Sequence, residues 1–406
     1  MSTGGRAPEV SSEAVPVHAE IGEHTLVQRF WLLVVAGPDT GATFASSGDR
    51  TNIGTYDTCD LVLHDSTVSR FHCEIAALRG RPLLRDLGSL NGTSVNGVGV
   101  VAAHLHSGTT IGLGRTQIRF DVGAEQVKIP VSERNRFGGL AGSSVPMRRL
   151  FALLERAAAS QQAVLLEGEP GSGKRTAAEG VHKESDRRDG PFVAVDCSAV
   201  PGDVLDVELF GTEGRPGAIE AARGGTLFLA EIADLPLELQ PKLLRVLERR
   251  EVKRGGNGIP VDLRIVSATH RNLRAEVNAK RFRSDLYYRV AVIEARVPPL
   301  RDRLEDLTLL VGDLAERRAG RVEGARLVAD GLAARLTRHG WPGNVRELDG
   351  AVARALDGTA RPSTGAPAVD LGMPLAAARA AYLDSSERRW AAGDEGTPWQ
   401  RIRTSP

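Results

Sequence analysis

The sequence predicts a multidomain chain: an all-β sandwich first, then an α/β domain with a parallel sheet, then a small helical lid. Three observations carry this expectation. Residues 30–122 hold short β-type runs broken by turn residues at a spacing of roughly ten, the rhythm of a sandwich. From about residue 140, strand-like runs alternate with amphipathic helical runs. Between the strand AVLLE and a helical run lies GEPGSGKRT, residues 168–176, which fits the GxxxxGK spacing of a phosphate-binding loop.

Composition narrows the class. At 406 residues the chain exceeds what one core usually spans, about 250 residues. It is 41% hydrophobic and 25% charged, ordinary for a water-exposed globular protein. A net charge of +1 gives no strong bulk attraction to nucleic acid or to a membrane, leaving only a local basic patch as a route. Cys59, Cys73 and Cys197 are far apart and show no CxxC spacing. They fit a reducing cytoplasm as small apolar fillers, so a cytoplasmic location is expected. No apolar run approaches the ~20 residues that span a bilayer, and MSTGGRAPEVSSE lacks the basic start and apolar stretch of a signal peptide.

The elements follow in order. Residues 1–28 are small and polar and read as a disordered tail. The sandwich is expected over 29–123, from FWLLVVAG, RTNIG, DLVLHD, FHCEIAAL, PLLRDL, TSVNGVGV, TTIGLG and TQIRFDV. GAEQVKIPVSERNRFGGL, centred on 124–138, reads as a linker. The α/β core is expected over 139–300, with AVLLEGE, PFVAVDCSAV, TLFLAEI and VDLRIVSATH as strands. The helical lid should fill 301–357, from LTLLVGDLAERRAG, ARLVADGLAARLTRHG and NVRELDGAVARAL. Residues 358–406 read as a linker and a short tail in which AARAAYLDSSERRWAAG forms one helix. There is no internal repeat.

In the sandwich the informative stretches are DSTVSRFHCEI and DLGSLNGTSVNG. Ser69, Arg70, Ser89 and Asn91 lie in strand-end loops, where hydroxyl, amide and guanidinium groups can converge on an anion. Asn91-Gly92 and Asn96-Gly97 are equally the residues of plain hairpin turns, and the residues alone leave both readings open. The ordered motifs IG at 53–54, DLVL at 60–63, VSRFH at 68–72 and DLGSLNGTSVNG at 86–97 resemble the forkhead-associated (FHA) domain, a reader of phosphothreonine peptides. The resemblance implies phosphate contacts from Ser69 and Arg70, a peptide clamp at Asn91, and a structural role for His72. Thr55 stands where many members carry a second arginine, which implies weaker binding.

In GEPGSGKRT the backbone from Gly168, Glu169, Pro170, Gly171, Ser172 and Gly173 can curl around phosphates. Lys174 can reach the outer ones, and the following helix N-terminus favours an anion. Arg175 and Thr176 follow. A merely structural glycine loop is the bland alternative.

The surroundings resemble the AAA+ domain of sigma-54-dependent transcription activators from Gly139 to about Leu356. GSSVPMRRLFALLERAA, DVELFG, AARGGTLFL, RIVSATHRNL, RFRSDLYYRV, VPPLRDR and WPGNVREL carry the likeness, in the family's order. It implies ATP and Mg²⁺ as cofactors and an oligomer, with Glu231 as the acid of the second Walker motif. Thr269 would be the sensor, Arg283 and Arg289 the pair that reaches a neighbouring subunit, and Arg346 the lid arginine.

Four departures bear on function. Ala230 stands where the family has an aspartate. TEGRPGAIE after ELFG is shorter than the loop that grips sigma factor, and its six residues TEGRPG span at most ~20 Å. Arg175 reverses the charge of the usual glutamate beside the phosphates. The segment after PLAAARAAYLDSSERRW offers no helix-turn-helix, so direct DNA binding is not expected. No protein-held metal is assigned.

The expectation is an ATP-binding regulator with impaired hydrolysis. It would read a phosphothreonine partner and assemble with itself or with intact paralogues, without membrane contact. A phosphopeptide scaffold with a purely structural AAA+ half, and an active remodelling ATPase, are the competing readings.

Overall fold

The computed structural model describes residues 20–21, 24–78, 81–254 and 257–357. The anticipated helix within 358–406, and with it the question of a helix-turn-helix, falls outside the described residues.

The first domain packs a seven-stranded sheet on a five-stranded sheet. Alternation builds it. Thr109–Leu113 and the first half of Thr116–Pro130 bury every second side chain. Leu32, Val34, Ile53, Ile75, Leu84, Ile111, Ile118 and Phe120 fill the space between the sheets. Two strands run past the expected boundaries. His24–Ala36 begins within the stretch read as a tail, and Thr116–Pro130 extends through much of the stretch read as a linker. These two strands pair with each other out to His24 and Pro130. The ladder bridges register shifts at Gln117/Ile118 and Val122/Gln126. Composition hid them because their outer halves are polar, and a strand needs a partner more than it needs a hydrophobic run.

The second domain carries a five-stranded parallel sheet ordered Phe192–Asp196, Thr226–Ala230, Arg264–Thr269, Val164–Glu167 and Ile293–Arg296. Its central strands are buried on both faces, as TLFL and VLLE foretell. Helix Val145–Ala158 starts at Ser144, whose hydroxyl accepts the Met147 amide at 3.4 Å. Its last carbonyls are met by the buried Arg264 guanidinium, which donates to Ala157 O at 2.6 Å and to Ala158 O at 3.4 Å.

Helices Leu307–Ala319, Arg321–Ala329, Leu332–Arg335 and Asn344–Leu356 form the lid, with Leu310, Val311, Leu348, Val352 and Trp341 in its core. Asp306 ties the lid to the sheet domain, accepting the Ser143 amide at 2.6 Å and the Ser144 amide at 2.8 Å. No described helix is long and apolar enough to cross a membrane.

Candidate nucleotide site and peptide-reading end

The strand Val164–Glu167 runs into the loop, and helix Lys174–Lys183 leaves it. Gly168, Gly171 and Gly173 all take positive φ, so the chain can curl with its amides inward. A side chain on Gly171 would begin 2.3 Å from Gly343 O and 3.1 Å from the Arg346 Cβ. The lid therefore lies directly on the loop, through one backbone bond and several side-chain bonds. Val345 N donates to Gly171 O at 3.0 Å, and the Asn344 side-chain Nδ2 donates to Pro170 O at 3.1 Å and to the Glu169 carboxylate at 3.1 Å. Arg301 grips the Glu169 carboxylate at 2.5 and 2.8 Å, and Arg303 donates to Ser172 O at 3.1 Å. Asn344 is buried and itself left-handed, with φ 54°. A conformation uncommon for a residue with a side chain persists because these bonds fix it.

Lys174 folds over the loop. Its ammonium donates to Gly168 O at 2.8 Å and to Glu169 O at 3.3 Å, and lies 3.5 Å from Glu231. Burial lowers its pKa, Glu231 opposes that shift, and the nearby positive charge of Arg346 adds to it. An anion placed here would satisfy two clustered cations. Glu231 sits at the strand end with φ 48°, and its carboxylate accepts the His270 amide at 3.0 Å and lies 2.7 Å from the His270 ring. Thr269 is fully buried, and its hydroxyl accepts the Arg271 amide at 3.0 Å. Ala230 precedes Glu231 and carries no polar side chain, while its carbonyl accepts the Cys197 amide at 3.0 Å.

Other expected residues stand apart. The Arg175 side chain is 70% exposed and pairs with Glu179 at 3.2 Å, so its charge lies along the outer helix face instead of beside the loop. Thr176 begins the same helix, its methyl close against Gly139. Arg283 pairs with Asp285 at 2.7 Å and Arg289 with Glu248 at 3.6 Å. Both arginines are about half exposed. After helix Gly202–Phe210, residues 211–217 close a tight turn in which Thr212 and Arg215 exchange backbone bonds at 2.9 and 3.2 Å.

At the sandwich end, the loops carrying Ser69, Arg70, Ser89 and Asn91 do meet. The Ser69 hydroxyl accepts the Leu90 amide at 2.9 Å, and the Asn91 amide donates to Thr67 O at 2.7 Å. Ser89 is taken up by Asp86, which also accepts from Thr93 at 2.5 Å. His72 Nδ1 accepts the Ser69 amide at 3.1 Å, so its Nε2 carries the proton donated to Gly92 O at 3.1 Å. Burial holds the His72 pKa below its ordinary value, which keeps that tautomer neutral. The histidine staples the two loops together. Arg70 remains exposed and donates to Ser284 of the second domain at 3.2 Å.

Sequence reading missed Asn344, Arg301 and Arg303 as parts of the loop's clamp. They lie inside WPGNVREL and VPPLRDR, strings visible in the sequence whose roles appear only when the lid is folded over the loop.

Residues 140–296 match the family described as the Sigma-54 interaction domain. This chain carries a sigma-54 interaction domain. Behind it, residues 301–361 match the AAA+ ATPase lid domain. Response regulator protein PilR of Pseudomonas aeruginosa is 44% identical over 244 residues, 57% of this chain and 54% of its own length. The C4-dicarboxylate transport transcriptional regulatory protein DctD of the same organism is 45% identical over 242 residues, 56% of this chain and 52% of its own. The chain thus spans about half the length of these curated relatives. The crystal structure of NtrX from Brucella abortus in complex with ATP is 32% identical and covers 60% of this chain and 61% of its own, with a TM-score of 0.51. Residues 33–123 match the family described as the inner membrane component of T3SS, cytoplasmic domain. This match covers most of the sandwich ahead of the sigma-54 interaction domain.

Proposed function

We infer that this chain is a transcription regulator of the sigma-54-activator type that binds ATP but turns it over poorly, and that it acts indirectly, through a phosphothreonine partner and through assembly with itself or an intact paralogue. The observation that carries this reading is the contrast within one site. The loop, Lys174 and the lid clamp are all in place, while the position before Glu231 is Ala230. Binding depends on the first set. Hydrolysis depends on positioned charge around the attacking water, which an alanine cannot supply.

Mg²⁺ in such sites offsets phosphate charge. The residues here do not fit a protein-held ion. Ala230 has no carboxylate, and Glu231 is engaged by Lys174 and His270.

The compact turn at 211–217 supports indirect action, since a closed turn does not also project a gripping hairpin. Arg283 and Arg289, half exposed and paired with Asp285 and Glu248, support a role toward a neighbour. Arg70 and the stapled loops around it support phosphothreonine reading, because a guanidinium pairs with a phosphate dianion at any working pH.

The test combines ATP titration by thermal shift with steady phosphate release. Stabilisation by ATP with little release is expected, and Ala230→Asp should raise release by on the order of tenfold or more. Release by the parent at the rate of an ordinary AAA+ enzyme would refute impaired hydrolysis. No ATP-induced stabilisation at all would favour a phosphopeptide scaffold with a structural AAA+ half.

A further inference from the structure

Part of the loop end of the sandwich is buried against the second domain, while Arg70, Leu90 and Asn91 stay exposed. Phe71, Cys59 and Leu87 belong to the sandwich by sequence, yet they pack with the hydrophobic core of the sigma-54 interaction domain and not with the core between their own sheets. Phe71 is 2% exposed. Its ring meets Tyr287 edge-on at 5.3 Å, with the Arg274 guanidinium 5.7 Å from its centre. Tyr56 stacks on Tyr288 at 4.7 Å, and Thr58 donates to the Tyr288 hydroxyl at 3.3 Å.

Asn278 binds both loops at once. Its amide donates to Phe71 O at 2.5 Å and to Leu87 O at 3.0 Å, and its oxygen accepts the Phe71 amide at 3.5 Å. Two further ion pairs cross the boundary, Arg149 to Asp49 at 2.5 Å and Arg50 to Glu167 at 3.7 Å. Glu167 is the last residue before the phosphate loop.

The docked surface includes Arg70, whose guanidinium rests on Ser284, the first residue of helix Ser284–Val290. That helix bears Arg289 and follows directly on Arg283. An aromatic and amide-rich contact of this kind is specific, because Asn278 satisfies two loop carbonyls that would otherwise be buried without a donor.

We propose that the sandwich end is a latch on the Asn278–Tyr288 face of the same chain, and that a phosphothreonine segment and this face compete for Arg70. The competition rests on the phosphothreonine reading above; the latch itself does not. The latched sandwich holds the helix that carries Arg289 and, through Arg50, the strand feeding the phosphate loop. A phosphate taken by the Arg70 guanidinium competes with its bond to Ser284, and Tyr288 lies beside it, stacked on Tyr56. Binding therefore frees both contacts together.

Cys59 reports the latch without any label. It lies in the shared core and its thiol hydrogen-bonds to Arg70 O at 3.4 Å, so docking shields it from an alkylating reagent. The experiment follows Cys59 alkylation in the full chain by peptide mass spectrometry. It compares the parent with Asn278→Asp and with Asn278→Asp/Tyr288→Ala, checking that ATP-induced stabilisation survives. A carboxylate at 278 faces two carbonyls and cannot donate to them.

Alkylation at least tenfold faster in the double variant than in the parent is expected. A degenerate phosphothreonine peptide pool should speed alkylation of the parent, its unphosphorylated twin should not, and the double variant should retain several-fold more of the pool. Equal alkylation of parent and double variant overturns the latch. Faster alkylation of the double variant, with equal pool binding by both chains, overturns the competition. If the pool binds neither chain, the phosphothreonine reading fails and with it the competition, and the alkylation contrast alone decides the latch.

Discussion

The phosphate loop at residues 168–174 takes its shape from backbone, whereas the loop end of the sandwich depends on side chains. In the loop, three glycines at positive φ and the start of a helix fix the geometry, and the lid adds bonds to carbonyls at Gly171, Pro170 and Ser172. At the sandwich end, Ser69, Ser89 and Asn91 are committed to neighbouring loop groups, and Arg70 reaches out to another domain. A backbone cradle is legible from spacing because glycine positions dictate it. A side-chain site is legible only as a set of candidates, since what docks beside it decides which atoms stay free.

The largest expected effect breaks the boundary between the two regions. Phe71 belongs to the sandwich by sequence and to the second domain by packing, so Phe71→Ala should cost about 3 kcal/mol, as for a core phenylalanine. Urea unfolding of the full chain would show it. A loss below about 1 kcal/mol would mean that the ring's contacts with Tyr287 and Arg274 contribute little.

Lys174→Ala comes next. Nucleotide at a hundred times its Kd stabilises a protein by about 2.7 kcal/mol, and removing the ammonium that crosses the loop should abolish that gain. A thermal shift with saturating ATP measures it. Persistence of the full shift would place nucleotide binding somewhere other than this loop.

The gross architecture was visible in the chain. Alternating runs gave a sandwich, TLFLAEI and AVLLEGE gave buried parallel strands, and GEPGSGK gave the loop. Two kinds of feature stayed hidden. His24–Ala36 and Thr116–Pro130 exceed their expected limits because pairing with each other stabilises their polar ends, and pairing partners are not local information. The grip of Arg301 and Asn344 on Glu169 joins residues 132 and 175 positions apart, so no window of sequence contains it.

That grip makes a pH prediction. The Arg301 guanidinium and the Asn344 amide hold the Glu169 carboxyl at about 2, below its ordinary 4.5. A lowered folded-state pKa contributes stability that is present above pH 4.5 and lost as pH falls toward about 2. The thermal midpoint of the parent should therefore drop more steeply across that window than that of Glu169→Gln, which cannot titrate there. Parallel profiles would show that the lid's contact with the loop does not depend on this carboxylate. The effect should be modest, because the pair is partly exposed and screened by solvent.

The smallest expected effect concerns Arg175, where sequence and structure part most clearly. The sequence suggests a positive charge beside the phosphates. In the structure the guanidinium lies on the outer face of helix Lys174–Lys183, 3.2 Å from Glu179. An exposed pair at this spacing contributes about 0.3 kcal/mol, and less with the cation on the N-terminal side. A cation in the first helical turn also opposes the helix dipole by a similar amount. The two contributions nearly cancel. Arg175→Ala should leave stability within about 0.3 kcal/mol of the parent and shift the Kd for ATP by less than about twofold. Isothermal titration and urea unfolding would measure both. A tenfold weaker Kd with unchanged stability would mean that the guanidinium swings from Glu179 onto the bound triphosphate. In that case the charge reversal read from the sequence is part of the site after all.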